Sequence, residues 1–185
     1  MLRQGDEHSA TPAGGSARVR RLLRLFTFLA LVVMANSTAV VTAGTPSDFR
    51  PVPEATFHAL DGTPVTVSTF RGSVVLINFW GTWCAPCFQE IPELVRLSHQ
   101  FKKRGLEVVG VAVDSGRPED IREFMAEYGM DYQILVGDMS IVKSRFHVLG
   151  FPTSLLIDRQ GLIRKRYFGP QTEEVLKKDV EPLLE

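Results

Sequence analysis

Continuous apolar runs and alternating apolar residues predict two kinds of strand in this chain. The segments "SVVLINFW" (73–80) and "LEVVGVAVD" (106–114) are rich in β-branched residues, which is typical of strands buried on both faces. The segment "YQILVGD" (132–138) predicts a shorter strand of the same kind. Apolar and polar residues alternate on both sides of Asp61-Gly62 and again on both sides of residues 159–161. This pattern predicts two antiparallel hairpins.

Apolar residues at helical spacing predict four helices between and after these strands. Gly105 and Gly129 follow the first two and act as helix stops. The four segments are 86–103, 117–129, 139–148 and 171–185. Because strands alternate with helices and the last two strands form a hairpin, the pattern predicts an α/β fold. Its central sheet is mixed and flanked by helices on both faces, and the first hairpin extends it at the N-terminal side.

The N-terminal 43 residues differ in pattern from the rest and indicate an export signal. Residues 1–24 carry five arginines against two acids, whereas residues 25–43 carry no charge. A basic region, the apolar run "LFTFLALVVM" and then small residues have the order of a signal peptide, with cleavage expected after Ala43 or Ala39. The alternative is a retained membrane anchor, but the apolar stretch is near the lower length limit for a span. Both interpretations place the domain outside the cytoplasm, in the periplasm or an equivalent compartment.

Length and composition fit one globular domain with this appendage. The chain has 185 residues, of which residues 44–53 are rich in Pro, Gly and Ser and predict a linker, and residues 54–185 form the domain. Lysines and arginines number 21 and so do aspartates and glutamates, giving a formal net charge of zero. Nothing in this balance favours nucleic-acid binding.

The only two cysteines, Cys84 and Cys87, lie where a buried strand ends and a helix begins. A structural staple between them would close a very short loop and therefore stabilise little. A zinc site would need two more ligands, and the four histidines form no pair with zinc-site spacing. Haem attachment would need a histidine after Cys87, where Phe88 stands. We therefore expect no metal and no cofactor.

A redox-active dithiol fits this position better than a structural disulfide or a metal site. Unpaired backbone N–H groups and the helix dipole stabilise a thiolate at a helix N-terminus and lower its pKa. Two intervening residues let the second thiol reach the first sulfur, and Pro86 suits the first helical turn because its missing N–H is not needed there. A Cys-x-x-Cys between strand and helix therefore predicts thiol–disulfide exchange.

The motifs "NFWGTWCAPC" (78–87) and "GFPT" (150–153) resemble the two signatures of the thioredoxin superfamily. The N-terminal hairpin and the run Cys84-x-x-Cys87-x-x-Glu90-x-Pro92 are similar to exported TlpA/ResA/CcmG-type thiol–disulfide oxidoreductases, which belong with redoxin or AhpC/TSA-like domains. The resemblance covers about residues 46–185 and implies a thioredoxin-like fold.

The resemblance implies a role for each matching residue. Cys84 would be the exposed nucleophile and Cys87 the resolving thiol, and together they would form the redox-active disulfide. Glu90 would tune or relay the proton of Cys87, although a solvated carboxylate of the first helical turn is an equal alternative. Pro152 would be cis, facing the disulfide, and Phe151 would offer backbone hydrogen bonds to a substrate.

Four further positions give context to the dithiol. Trp83 would contact the substrate beside the thiol, whereas Trp80 would be part of the core. Asn78 stands where cytoplasmic thioredoxins carry a buried aspartate, which makes a proton role for Glu90 more plausible. His147 is expected to pack or to lie at the surface rather than to bind a metal.

The sequence favours a reductant over an oxidant. Ala85-Pro86, between the cysteines, brings no charge or histidine that would strongly stabilise the thiolate, and strong oxidants depend on such stabilisation. The resemblance implies a membrane thiol-reductant as electron donor and exported disulfide proteins as acceptors, such as those of cytochrome c maturation or copper-site assembly. A disulfide-donating oxidase remains an alternative.

Three rivals from other functional classes fit less well. A peroxidase of the peroxiredoxin kind needs Pro-x₃-Thr/Ser-x₂-Cys, but Ile77 and Gly81 occupy the proline and threonine positions. A copper chaperone of the Sco kind needs three residues between its cysteines, one more than are present here. A binding module with a vestigial dithiol is disfavoured, because the residues of both motifs, around Cys84 and around Pro152, are all present.

Overall fold

A computed structural model describes residues 50–185 and contains seven strands and four α-helices in that range. The predicted export signal or membrane anchor (1–43) and the first part of the predicted linker lie outside the described residues. No helix among the described residues has the length and apolar character needed to cross a membrane.

The seven strands form one mixed sheet with the order β2-β1-β5-β4-β3-β6-β7. The central pairs β3–β4 and β4–β5 are parallel, and the other four pairs are antiparallel. The strands are β1 Thr56–Ala59, β2 Pro64–Thr66, β3 Val74–Trp80, β4 Leu106–Val113, β5 Gln133–Gly137, β6 Thr153–Ile157 and β7 Ile163–Phe168. Both predicted hairpins are confirmed, and the mixed sheet with flanking helices is the predicted fold class.

The helices also follow the predicted segments, with differences at their ends. They are α1 Cys87–Phe101, α2 Pro118–Tyr128, α3 Met139–Phe146 and α4 Glu173–Val180. Gly105, which follows α1 and its 3₁₀ turn, has a left-handed φ of 98°. Gly129, which follows α2, has a left-handed φ of 66°. Glycine tolerates this conformation best. The predicted last helix is shorter than 171–185, because Pro182 interrupts it and Glu181–Leu183 form a 3₁₀ turn.

Two apolar clusters, one on each face of the sheet, hold these layers together. We call the face covered by α1, α2 and α4 the disulfide face, because its cluster contains Cys84 and Cys87. The opposite, phenylalanine face is covered by α3, and Phe57, Phe79 and Phe146 pack there with centroid distances of 5.7 Å and 5.1 Å. Strand β3 supplies both clusters, and all seven of its residues are buried as predicted.

The segment before β1 contacts the domain. Pro51, in the predicted linker, forms an isolated antiparallel bridge with Leu162. Ile163 N–H donates to the Arg50 carbonyl over 2.9 Å, and Val52 N–H donates to the Gly161 carbonyl over 2.9 Å. Residues 50–52 therefore lie against the start of β7.

Candidate active site

Cys84 and Cys87 form a disulfide at the carboxyl end of β3, where the parallel strand meets α1. Their sulfurs are 2.07 Å apart and their Cα atoms 5.4 Å apart. The turn that joins them is held by Cys84 N–H donating to the Gly81 carbonyl over 3.0 Å, and by Cys87 N–H donating to the Cys84 carbonyl over 2.9 Å. Cys87 is the first residue of α1, so the pair lies at the positive end of the helix dipole.

The expectation that Cys84 is exposed is wrong for this disulfide state. The residue is 4% exposed, only slightly more than Cys87 at 1%. The physical reason is that its sulfur is bonded to that of Cys87 and both belong to the apolar cluster of the disulfide face. Burial of this kind keeps the bond away from water, while Cys84 remains the residue nearer to the surface.

Trp83 covers the turn before the disulfide and is half-exposed. Its indole N–H donates to the Val113 carbonyl over 3.0 Å, and its ring meets that of Phe151 edge-on with a centroid distance of 5.1 Å. Gly81 permits this arrangement, since a Cβ there would lie 2.6 Å from indole atoms of Trp83. Trp83 therefore links the cysteine loop to the loop that contains Pro152.

The Phe151–Pro152 peptide bond is cis, the isomer that the resemblance implies. Pro152 is buried at the start of β6, and its carbonyl accepts a hydrogen bond of 3.0 Å from Gly169 N–H. Thr153 Oγ1 donates to the Gly150 carbonyl over 2.7 Å, which closes the turn on the other side. Strand β6 pairs directly with β3, so residues 150–153 and the disulfide lie at the same end of neighbouring strands.

Glu90, in the first turn of α1, is buried and only 1% exposed. The alternative of a solvated first-turn carboxylate is therefore excluded. Asn78 Nδ2 donates to its Oε2 over 2.7 Å, and Gln171 N–H donates to its Oε1 over 3.3 Å. Residues three apart on a helix share a face, so Glu90 lies on the same side of α1 as Cys87.

Burial raises the pKa of Glu90 from its ordinary 4.5 to about 7. The hydrogen bonds from Gln171 and Asn78 favour the carboxylate and act in the opposite direction, but loss of solvation is the larger effect. A carboxyl group with a pKa near neutrality can both accept and return a proton at physiological pH. It is thus suited to exchange a proton with a neighbouring thiol.

Sequence reasoning missed several groups that hold this site in place. Asn78 Nδ2 also donates to Ser154 Oγ over 2.9 Å, which ties β3, β6 and Glu90 together. Thr82 N–H donates to Ser115 Oγ over 3.2 Å, fastening the cysteine loop to the loop after β4. Register gives a signal for the first contact, since Asn78 and Ser154 are paired residues of neighbouring strands. The sequence offers no such signal for Gln171.

The other predicted residues lie where the sequence placed them. Trp80 is fully buried and packs against Phe124 with a centroid distance of 5.2 Å. His147 is exposed at the end of α3, with a left-handed φ of 52°. Among residues 50–185, no group of three or more histidine, cysteine or acidic side chains is arranged to hold a metal ion.

Comparisons with known proteins agree with this geometry. The model of the AhpC/TSA family matches residues 50–166. The thiol-disulfide oxidoreductase ResA of Geobacillus thermodenitrificans is 32% identical over 167 residues, which are 88% of this chain and 91% of the relative. ResA of Geobacillus kaustophilus is 30% identical over 171 residues, covering 90% of this chain and 94% of that protein.

Solved structures show the same architecture. A putative thiol:disulfide interchange protein DsbE from Chlorobium tepidum superposes with a TM-score of 0.68 at 28% identity, covering 74% of this chain and 97% of the other. A secreted thiol-disulfide isomerase from Corynebacterium glutamicum gives a TM-score of 0.69 at 23% identity, covering 75% and 88%. The second likeness concerns the fold alone.

Proposed function

The chain belongs to the AhpC/TSA family and is a thioredoxin-like thiol–disulfide oxidoreductase, and from this premise we propose that it is an extracytoplasmic reductase of protein disulfides. The observation that carries the proposal is the Cys84–Cys87 disulfide together with the buried Glu90, three residues after Cys87 in α1. The acceptors we propose are exported proteins with disulfides that must be opened, as in cytochrome c maturation or a similar cofactor assembly.

The proposed reaction begins with the reduced dithiol. The Cys84 thiolate attacks one sulfur of the substrate disulfide, a new S–S bond forms, and the other substrate sulfur leaves as a thiolate. Glu90 as carboxylate takes the proton of Cys87, whose sulfur then attacks Cys84 and releases the second substrate thiol. Two electrons pass to the substrate, and the protein is left with the disulfide that the structure shows.

The surroundings of the site support the roles assigned to its other residues. Phe151 is half-buried and precedes the cis bond, so its backbone groups can pair with an extended substrate segment. Trp83 is 51% exposed and offers an apolar surface beside the disulfide. We propose that these two residues, with Pro152, form the substrate-binding surface.

A reductase outside the cytoplasm needs a supply of electrons, because the compartment itself is oxidising. We propose that a membrane thiol-reductant donates them by the reverse exchange, first to Cys84. The basic and apolar patterns of residues 1–43 support export of the domain, either with a cleaved signal or with a retained anchor.

Trapping the mixed disulfide tests this mechanism. In the Cys87→Ser variant the second attack is blocked, so disulfide-linked complexes with exported proteins should accumulate in the cells that produce it. The Cys84→Ser variant is the matched control and should form none. If neither variant yields a complex, or if Cys84→Ser yields as many as Cys87→Ser, the proposed order of attack is wrong.

A further inference from the structure

A second concave region lies beside the edge strand β7, away from the disulfide turn. It is a groove of about 590 Å³ between β7, the segment 50–53 and the end of α3. Among the residues that the structure describes along its walls, none is acidic and five are cationic: Arg50, Arg145, Arg164, Lys165 and Arg166. We refer to it as the basic groove. The whole chain is neutral, so this clustering of one sign is a local feature.

The basic groove ends at the loop that contains Pro152. Phe168 lines the groove, is 63% exposed, and pairs in register with Thr153, the residue after Pro152. His147, which also lines the groove, begins the loop that leads to the cis bond, and Leu149 in that loop is 89% exposed. A protein segment bound beside Pro152 would therefore continue into the groove.

Among residues 50–185, acidic side chains pair with some cations of the groove but not with Arg145. Arg164 pairs with Asp158 at 3.3 Å and Lys165 with Asp179 at 2.5 Å, and neither acid lines the groove. Arg145 Nη1 donates to the backbone carbonyl of Glu54 over 3.4 Å and has no carboxylate partner among residues 50–185. Cations on an edge strand also discourage aggregation, but that role explains neither Arg145 nor the exposed Phe168 and Leu149.

We propose that the basic groove binds an acidic segment next to the disulfide of the partner protein, with Leu149 and Phe168 contacting apolar residues of that segment. The inference rests on the proposed reductase function and specifies its partner. Ile163, the first residue of β7, is bonded to Arg50, so the rest of the strand, Arg164–Phe168, can accommodate an extended partner segment of five residues, about 17 Å long. Complementary charge would mainly raise the rate of encounter and orient the partner.

The test uses the reduced full chain and three synthetic peptides that share one internal disulfide. Their flanking segments are acidic (Asp/Glu), neutral (Ser/Asn) or basic (Lys). At low salt the acidic peptide should be reduced at least about tenfold faster than the neutral one, and the basic peptide slower. The differences should shrink as salt approaches about 1 M, where charges are screened beyond about 3 Å.

A pair of neutralising variants locates the effect. Arg145→Gln with Lys165→Gln should remove most of the acidic preference and leave reduction of the neutral peptide unchanged. The control, Lys102→Gln with Lys103→Gln beyond the end of α1, should keep the preference. Thermal unfolding of both variants checks that they remain folded, and the salt dependence of the unaltered chain tests the proposal without any substitution.

The outcomes separate the two proposals. If all three peptides are reduced at equal rates, or if the acidic preference is independent of salt, the groove proposal is overturned while the reductase function stands. If no peptide is reduced, the reductase proposal fails and the groove proposal fails with it. If the chain ignores peptide charge but binds phosphatidylglycerol vesicles through Arg145 and Lys165, the groove faces a membrane and the proposal is wrong.

Discussion

The two faces of the central sheet are both well packed, but the disulfide and the buried carboxyl group of Glu90 lie on one of them. On the phenylalanine face, Phe146 contacts Phe57 and Phe79 within an apolar cluster. On the disulfide face, the apolar cluster surrounds a disulfide, the carboxyl group of Glu90 and the amide of Asn78. The same strand, β3, supplies side chains to both by simple alternation.

This difference shows how a small domain separates stability from chemistry. Burying apolar side chains stabilises the fold, whereas burying a carboxyl group opposes folding unless the group is neutral or hydrogen-bonded. The disulfide face also contains Trp80 Nε1 and the Tyr132 hydroxyl, both buried without a hydrogen-bond partner among the described residues. Burial, aided by the charge of Glu90, raises the pKa of Tyr132, so it stays neutral. The low-polarity surroundings that disfavour charge also give Glu90 its raised pKa.

Removing the nucleophile should give the largest effect, and only on activity. The Cys84→Ser variant is expected to lose disulfide-reducing activity by at least about 1,000-fold, because the remaining thiol, Cys87, is buried and cannot reach a protein disulfide. Its apolar cluster stays filled, so the chain should still unfold cooperatively. Insulin reduction and thermal unfolding measure the two properties. Activity within tenfold of the unaltered chain would contradict the role of Cys84.

On the phenylalanine face, a substitution is expected to lower stability and to leave the redox chemistry unchanged. Phe146→Ala removes a fully buried ring that contacts Phe57 and Phe79, and should lower the free energy of unfolding by about 3–5 kcal/mol. The reduction potential of the cysteine pair should not change, because the sheet separates the two clusters. Chemical denaturation and thiol-buffer equilibration test this. A shifted potential would show that the two faces are coupled.

Glu90 should make stability depend on pH in a defined direction. Its pKa is about 7 in the folded chain against 4.5 ordinarily, so the folded state holds a proton in this interval that the unfolded state has lost. The stabilisation is complete below pH 4.5 and is lost as pH rises through about 7, with a total of at most about 3 kcal/mol.

The Glu90→Gln variant should remove this pH dependence of stability, which would assign it to the buried carboxyl group of the disulfide face. Urea unfolding between pH 5 and 8 should show a decline for the unaltered chain that the variant lacks, whereas Glu127→Gln on the surface should keep it. The rate of mixed-disulfide resolution should lose its pH dependence near 7 in the same variant. An identical decline in all three proteins would assign the effect to other groups.

The smallest stability change is expected at the rim of the disulfide face. Trp83→Ala removes one hydrogen bond and one edge-on ring contact from a half-exposed side chain, which should lower the free energy of unfolding by only about 1 kcal/mol. If Trp83 contacts substrates, reduction of a protein disulfide should slow more than reduction of a small-molecule disulfide. Equal slowing of both would limit Trp83 to a packing role.

The sequence predicts most of the fold because its strands and helices have strong periodic signals. The continuous run at β3 and the glycine stops at Gly105 and Gly129 agree with the structure. After β2, however, Val67–Phe70 form a 3₁₀ turn, in which Thr66 Oγ1 lies 3.1 Å from the hydroxyls of Ser68 and Thr69. Local side-chain hydrogen bonds of this kind compete with strand pairing and are not visible as periodicity.

The site is less predictable, because its properties depend on contacts between distant segments. The Cys-x-x-Cys spacing identifies the dithiol, but the Glu90 carboxylate is also contacted by Gln171 N–H, 81 positions away, which the spacing does not reveal. The low exposure of Cys84 likewise depends on the tertiary packing of α1 and on the bond to Cys87. Periodicity reports which face of an element is apolar, but not how deeply a polar residue on that face is covered.

The reduction potential of the Cys84–Cys87 pair tests the reductase proposal most directly. The full chain would be equilibrated with thiol buffers of defined potential, and the reduced fraction measured by alkylation of free thiols. We predict a value at or below about −230 mV, in the range of reducing thioredoxins and glutaredoxins. A value near about −120 mV, that of a strong disulfide donor, would contradict the account and make the protein an oxidase.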